Sequence, residues 1–187
     1  MISKKENIIK VAHELLSKNG SSQFSMRKVA LQASMSLGNL QYYYKTKTDL
    51  INGILENYIQ IYKIELANYS KSCSKGRDGL ENFISSVLLD TVQDDNKFFI
   101  ALFSFTELKG MEIPLKQFYG ELFNLLTDAL AIILGVPSTS ESLKMASSLL
   151  LPYFEGYWPV GNYTEINHEK MAKVLADTVM VLITDTV

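Results

Sequence analysis

Cysteine and histidine are scarce in this chain of 187 residues, which holds one Cys and two His. A single thiol, Cys73, excludes an internal disulfide framework and a metal site built from several cysteines. His13 and His168 stand alone, and the sequence contains none of the motifs of zinc proteases, serine hydrolases, P-loop proteins or dinucleotide-binding folds. We therefore expect a protein that is not an enzyme and that uses no cofactor and no metal.

Long apolar segments are also missing. No uncharged apolar run reaches the length of about 18 residues that a membrane span requires. The N-terminus, Met-Ile-Ser-Lys-Lys-Glu-Asn, has no apolar signal core. Because 47% of the residues are hydrophobic and 20% are charged, the composition is typical of a folded domain. We expect a soluble protein of the cytoplasm.

Positive charge is concentrated at one end of the sequence. Residues 1–52 hold eight Lys or Arg against three acidic residues, a net charge of +5, and the rest of the chain carries −7. A basic segment on an otherwise acidic chain suits a protein that binds phosphate groups with one end only. The charge distribution therefore favours a nucleic-acid partner for the N-terminal segment.

The stretch from Ser25 to Lys47 has the pattern of two short helices joined by a tight turn. Ser25 and Ser36 each stand where a helix N-cap is expected. Leu40 and Tyr44 are four residues apart, so we expect both side chains to face the interior. This is the anatomy of a helix-turn-helix, whose second helix enters the DNA major groove, although packed helix pairs without that role are common.

Two motifs carry a more specific signal: Phe-Ser-Met-Arg-Lys-Val-Ala from Phe24, and Ser-Leu-Gly-Asn-Leu-Gln-Tyr-Tyr-Tyr-Lys-Thr-Lys-Thr-Asp-Leu from Ser36. Together they resemble the N-terminal signature of the tetracycline-repressor (TetR) family of bacterial transcriptional regulators. Gln41 and Tyr44 depart from the family, which usually has Tyr and Phe there. The resemblance implies an all-α fold, with a three-helix helix-turn-helix domain at 1–47 joined by a long helix to a ligand-binding and dimerisation domain at 48–187.

Apolar residues at helical spacing predict further helices through the rest of the chain. One long helix follows the cap pair Thr46 and Asp49 and ends near residue 70, before a polar loop at 71–78. A helix that Pro152 should bend, or in which it should free one carbonyl, runs to about Trp158, and a loop from Pro159 leads to a final helix. These last two helices hold more small and apolar residues than one buried face requires. In the resembled family they form the dimer interface, so we expect a homodimer.

The candidate DNA contacts follow from side-chain chemistry and from the resemblance. We expect Lys47 and Arg27 to neutralise phosphates, and the helix N-termini capped by Ser25 and Ser36 to add neutral phosphate contacts. By resemblance, family contact positions are occupied by Ser36, Leu37, Asn39, Gln41, Tyr42 and Tyr43, and Gly38 lets the backbone approach the groove closely. Asn39 or Gln41 can pair with adenine. For Tyr43, packing in the core is the open alternative.

The C-terminal domain is rich in aromatic residues, most of which must form its core. An apolar cavity with a few polar groups is the usual site for a small molecule in such a domain. Glu107 and Glu155 lie in otherwise apolar segments, where each either faces a cationic ligand or, more commonly for such residues, lies exposed on the opposite helix face. The candidate ligand-binding residues are Tyr62, Phe99, Phe103, Glu107, Phe118, Phe154, Glu155 and Trp158.

These observations predict a ligand-responsive transcriptional regulator. The chain is expected to be a repressor that binds a palindromic operator as a homodimer and is released by a small aromatic or amphipathic effector. The alternative is a dimeric small-molecule-binding or protein-interaction module whose helix-turn-helix no longer binds DNA. Salt dependence of DNA binding distinguishes the two, because phosphate contacts weaken steeply with salt.

Overall fold

The computed structural model describes residues 3–93, 101, 104–106, 108–161, 165 and 167–184, with 90–93 and 158–161 as backbone alone. Across these ranges the chain forms helices, turns and short connections and no strand, so the all-α prediction is confirmed. The α-helices whose bounds lie within these ranges are α1 Lys4–Asn19, α2 Met26–Gln32, α3 Leu37–Tyr43, α4 Lys47–Ser72, α5 Gly76–Gln93, α6 Glu112–Leu134, α7 Glu141–Gly161 and α8 His168–Thr184. None of the helices described is both long and apolar enough to span a membrane.

Backbone contacts divide the chain into two compact units. The first unit comprises Met1–Gln60 and Asp95–Phe118, and the second comprises Ile61–Asp94 and Tyr119–Val187. The first unit therefore contains α1 to α3 and the first half of α4. The second contains the other half of α4, α5, most of α6, α7 and α8.

Helix ends in the first unit are formed by residues close to them in sequence. Ser3 and Glu6 make a capping box at α1, with N–H···O distances of 3.1 Å and 2.8 Å in the two directions. Thr46 and Asp49 repeat this arrangement at the start of α4, at 2.9 Å and 3.0 Å. Gly20 ends α1 with φ at +68°, a conformation that favours glycine. Local sequence thus determines where these helices begin and end.

Tyr44 packs in the interior of the first unit, as predicted. Its ring lies against Gly53 of α4, where a Cβ atom would come within 2.7 Å of Tyr44 Cε1 and 3.0 Å of Ile9 Cδ1. The missing side chain at Gly53 therefore leaves the space that the tyrosine ring fills. The same interior contains the buried side chains Ile8, Leu16, Val29, Leu40, Leu50 and Ile51.

The second unit has a core built around Phe83 of α5. The ring of Phe83 lies 5.4 Å from the ring of Tyr69 and 6.5 Å from that of Phe154, measured between centroids. Around it, α5, α6, α7 and α8 contribute buried aliphatic side chains, among them Leu80, Ile84, Leu130, Ile133, Leu143, Leu150 and Val179. Phe154 is thus a core residue of this unit.

Polar links between helices also stabilise the second unit. Thr127 of α6 donates its hydroxyl to Ser147 Oγ of α7 at 2.8 Å, where both residues are buried. Arg77 at the start of α5 pairs with Asp177 of α8 at 2.7 Å and with Glu81 at 2.6 Å. Buried hydroxyls satisfied by each other avoid the desolvation cost of an unpaired polar group.

Two boundaries differ from the sequence predictions. The connection between α4 and α5 is only 73–75, because Gly76, Arg77 and Asp78 of the expected loop form the first turn of α5, where polar and acidic residues are favourable. Helix α7 continues through Pro159 to Gly161, since a proline near a helix end removes one hydrogen bond without stopping the last turn. Apolar residues also predict a short helix around 98–108, and much of it lies outside the described residues.

Candidate nucleic-acid interface and effector site

The second helix of the helix-turn-helix, α3, starts from a capped and sharply turned segment. Ser36 accepts a hydrogen bond on its Oγ from the Asn39 N–H at 3.1 Å. Just before it, the Met35 N–H donates to the Ala30 carbonyl at 2.9 Å. Ser34 has φ at +55° in this turn, a conformation uncommon outside glycine. Nothing in the sequence marks Ser34 for this role, since serine has no particular preference for it.

One face of α3 packs inward and the other is open. Leu40 is buried, whereas Gly38, Asn39 and Gln41 are exposed. Tyr42 is exposed over 81% of its surface, and its ring meets the ring of Tyr43 edge-on at 5.2 Å. Leu37 and Tyr43 are half-buried. The amide and phenol groups of the open face are the kind that hydrogen-bond base edges and phosphates.

The preceding helix, α2, presents a second polar N-terminus. Ser25 accepts on its Oγ from the Lys28 N–H at 3.3 Å, which confirms the predicted cap. Arg27 is exposed in the same turn. A capped helix start beside a guanidinium is a favourable place for an anion.

Lys47 at the start of α4 has an environment that the sequence does not predict. Its ammonium lies 5.5 Å from the ring centroid of Phe24 and 5.7 Å from that of Phe105. Burial lowers the pKa of the Lys47 ammonium, and the two aromatic faces offset part of that cost by cation–π attraction. Phe105 thus contacts a proposed DNA-binding residue although it is more than fifty positions away in sequence.

An open cleft of about 320 Å³ lies between the start of α1 and the α2–α3 turn. Ser3, Lys4 and Asn7 line it from α1, and Ser34 and Asn39 line it from the turn and α3. Lys4 and Asn39 therefore share one concave surface. The sequence pattern alone gave no reason to bring them together.

The candidate effector residues separate into three groups. Phe99, Phe103 and Glu107 lie outside the described residues, as does the side chain of Trp158. Phe118 is buried in the first unit, with its ring 5.8 Å from that of Tyr58, and Phe154 is buried in the core of the second unit. Among the candidate effector residues, Tyr62 and Glu155 are the two that lie in the second unit and are described as partly accessible.

Glu155 of α7 is half-buried, and its Oε2 atom is fully buried with no hydrogen-bond partner in the described part of the chain. The expectation that this side chain lies exposed on the outer helix face is therefore wrong. Burial raises the pKa of the Glu155 carboxyl to about 8. Burial, and then the charge of Glu155, raise the pKa of Tyr62 on α4 and of Tyr119 on α6. The structure thus places Tyr119, absent from the candidate residues, within electrostatic range of Glu155, as it does Tyr62.

Apolar side chains remain exposed on α7 and α8. Met145 and Leu149 of α7 are 59% and 39% exposed, and Val174 and Val181 of α8 are 56% and 55% exposed. Each pair recurs at helical spacing, so each helix presents a stripe rather than scattered residues. Contiguous exposed apolar surface of this kind is typical of protein–protein contact sites.

A small helix-turn-helix with a polar second helix, on a chain whose remaining helices form an aromatic core, defines the class of helix-turn-helix transcriptional regulators. The model of bacterial regulatory proteins of the tetR family matches residues 8–54. An uncharacterized HTH-type transcriptional regulator in the dhlA 5′ region of Xanthobacter autotrophicus is 32% identical over 161 residues, which is 83% of this chain and 78% of that protein. This chain belongs to the TetR family, whose members are regulators and not enzymes.

Solved structures share the fold over nearly the whole chain. FadR from Bacillus subtilis, in complex with stearoyl-CoA, has a TM-score of 0.65 at 17% identity, covering 92% of this chain and 96% of that one. A TetR transcriptional regulator from Legionella pneumophila has a TM-score of 0.71 at 18% identity, covering 95% and 97%. At these identities the likeness establishes the fold alone.

Proposed function

We propose that this protein is a cytoplasmic repressor that binds a palindromic operator as a homodimer and releases it when a small aromatic or amphipathic effector binds. The observation that carries the proposal is the open face of α3. Asn39, Gln41 and Tyr42 are exposed on a capped helix that ends a few residues before Lys47, within the basic part of the sequence. Such a face combines groups that bind phosphate with groups that distinguish bases.

The two kinds of contact have different expected roles. Lys47, Arg27 and the helix starts at Ser25 and Ser36 hold the DNA backbone, independent of sequence. Asn39 and Gln41 distinguish bases, because side-chain amides bind adenine in two places at once. The remaining members of the proposed surface, Leu37, Gly38, Tyr42 and Tyr43, supply apolar contact, close backbone approach and phenolic hydrogen bonds.

DNA binding to the region upstream of the protein's own gene tests the proposal. We expect protection of a palindromic site in a footprint and an affinity that falls steeply as salt rises. Lys47→Ala should weaken binding to specific and random DNA alike and reduce the salt slope by about one unit. Asn39→Ala and Gln41→Ala should cost about 1–3 kcal/mol on the operator with little change on random DNA.

Lys170→Ala is the matched control, because Lys170 is an exposed lysine of the second unit. It should leave both affinities unchanged. Equal losses for Lys47→Ala, Asn39→Ala and Gln41→Ala on specific and random DNA would contradict the assigned roles. Binding that is insensitive to salt, or absent, would support an interaction module without DNA-binding activity.

Homodimerisation through α7 and α8 rests on their exposed apolar stripes. Val174→Glu places a charge in the stripe of α8 and should shift the protein from dimer to monomer in sedimentation velocity, because a buried unpaired charge is costly. Lys173→Glu changes the charge at the neighbouring exposed position and should leave the dimer intact. A dimer that tolerates Val174→Glu and Met145→Glu together contradicts this interface.

An effector site in the second unit is supported by its aromatic composition and by the desolvated group at Glu155. The fold itself accommodates an amphipathic molecule, since FadR was solved in complex with stearoyl-CoA. A thermal-shift screen with aromatic and amphipathic compounds should therefore find stabilising ligands. Compounds that stabilise the protein should also release it from operator DNA, and a screen without any hit contradicts the effector.

A further inference from the structure

Three helices of the second unit place polar groups around one buried oxygen. Glu155 on α7 contributes the carboxylate, and Tyr62 on α4 and Tyr119 on α6 lie close enough for its charge to affect their ionisation. Glu155 Oε2 is fully buried and has no hydrogen-bond partner among the described residues. In folded proteins such an atom usually has a partner, because an unsatisfied buried carboxylate destabilises the fold.

The missing partner is not a cation of the described chain. A lysine or arginine beside Glu155 would lower the pKa of its carboxyl, whereas burial is the cause acting on it and raises that pKa. At the same time Glu155, Tyr62 and Tyr119 are only half-buried as whole residues. The rest of the Glu155 side chain is thus partly open to a molecule from outside, while Oε2 itself is covered.

We propose that Glu155, flanked by Tyr62 and Tyr119, binds the protonated amine of an effector that has a cationic head on an apolar body. This assignment rests on the effector-binding function proposed above and specifies its ligand class. An ammonium supplies the charged donors that a buried carboxylate lacks, and charge-assisted hydrogen bonds are the stronger kind. The two phenol rings favour a cation further, through the negative potential of their faces.

The same arrangement disfavours other head groups. A carboxylate or phosphate would have to give up its own hydration at a site that offers it no cation, and an alcohol supplies one neutral donor only. The ligand class therefore differs from the anionic stearoyl-CoA seen in FadR, although the fold is shared. Glu155 therefore distinguishes between amphiphiles that have similar apolar parts and different head groups.

Three probes with one apolar part and different heads test this directly: 4-phenylbutylamine, 4-phenylbutan-1-ol and 4-phenylbutanoate. In titration calorimetry on the full chain near neutral pH, we expect the amine to bind at least tenfold more tightly than the alcohol and the acid not to bind. Because Glu155 is mostly protonated when free, pairing with the ammonium should release close to one proton to the buffer. That release is measured by repeating the titration in buffers of different ionisation enthalpy.

Glu155→Gln keeps the shape and removes the charge. It should abolish both the preference for the amine and the proton release while leaving alcohol binding within twofold. Glu169→Gln, at an exposed glutamate of α8, is the matched control and should behave like the wild type. Equal binding of amine and alcohol, an unchanged preference in Glu155→Gln, or binding of none of the three probes overturns the site.

Operator release separates this site from the wider function. In one outcome the amine binds more tightly than the alcohol and releases a proton, yet fails to dissociate the protein from operator DNA. That result would support the amine site and contradict the effector role. If the alcohol or the acid binds best and releases the DNA, the effector role stands and the amine site fails. Each proposal is therefore contradicted by a different measurement.

Discussion

The two units of the molecule satisfy their polar side chains in different ways. In the first unit, Ser3, Ser25, Ser36 and Thr46 each bond a backbone amide three residues further along. In the second unit the link from Thr127 to Ser147 spans 20 residues. The pair of Arg77 and Asp177 spans 100 residues, and Glu155 Oε2 has no partner in the described chain.

This difference matches what each unit is proposed to do. In the first unit, local caps satisfy the polar groups at the helix starts and leave the outer face of α3 free for a large partner. In the second unit, polar groups sit inside and depend on tertiary packing, and one of them remains unsatisfied. A surface that meets DNA can be specified by neighbouring residues, whereas an interior site for a small molecule cannot.

The largest expected effect comes from the packing of the first unit. Gly53→Val should lower the free energy of unfolding by about 3 kcal/mol, because the new side chain overlaps Tyr44 and Ile9 and overpacking is costly. Gly120→Val in α6 is the matched control, since a Cβ there meets nothing within 4 Å. Denaturant unfolding of both variants measures the difference. Equal stabilities would mean that the contact between Gly53 and Tyr44 does not constrain the first unit.

The buried acid of the second unit should make stability depend on pH. Burial raises the pKa of Glu155 in the folded state from 4.5 to about 8, so between these values the folded protein binds more protons than the unfolded one. Stability contributed at this site is therefore lost as pH rises through that window. Tyr62 and Tyr119, whose pKa values are raised by burial and then by the charge of Glu155, stay neutral throughout that window.

Glu155→Gln removes this dependence. The free energy of unfolding of Glu155→Gln should be close to that of the wild type at about pH 5. At about pH 8 it should be higher than that of the wild type by about 2 kcal/mol. Thermal unfolding at a series of pH values measures the gap, with Glu169→Gln for comparison. A gap that stays constant with pH would show that the carboxyl is not desolvated.

A smaller effect is expected from the cation–π contacts of Lys47 with Phe24 and Phe105 in the first unit. Phe105→Leu removes one of the two rings under the ammonium and should weaken DNA binding about twofold to fivefold, on specific and random DNA equally, since a cation–π contact contributes about 0.5–1 kcal/mol. The same change in a Lys47→Ala background should have no effect on affinity. An equal loss in both backgrounds would mean that Phe105 acts through the fold and not through Lys47.

The smallest effect concerns the hydroxyl that distinguishes Tyr44 from the usual phenylalanine. That oxygen is buried and unpartnered in the described chain, and burial, followed by the charge of Glu56, raises its pKa. Tyr44→Phe should raise the unfolding free energy by about 0.5 kcal/mol, because it removes an unsatisfied polar atom without opening a cavity. Tyr42→Phe, at an exposed ring, should change nothing. Destabilisation by Tyr44→Phe would indicate a partner for the hydroxyl.

Local rules predicted the first unit well from the sequence. The caps Ser25 and Ser36 and the inward pair Leu40 and Tyr44 all depend on neighbours within one or two helical turns, and the structure confirms them. The motifs from Phe24 and Ser36 also identified the family. Ser34 is the exception, since its positive φ follows from the turn and not from the residue type.

Contacts between residues far apart in the sequence could not be predicted from the sequence pattern. Phe105 under Lys47 and Tyr119 beside Glu155 depend on how helices pack, which periodicity does not specify. For the same reason the burial of Glu155 was misjudged: its helix is apolar on several faces, so spacing does not show which face is inside. Phe154, by contrast, was placed among ligand residues and packs in the core.

The ion pair between Arg77 and Asp177 affects the order in which parts of the protein can fold during synthesis. A ribosome makes α1 to α3 first, and their contacts lie between neighbours in sequence, so this part can begin to fold during synthesis. Helix α5 must wait until α8 has been made, about 100 residues later, before it gains its main ionic partner. Until then its apolar face is open to other surfaces, and we expect the nascent chain to depend on chaperones at this stage.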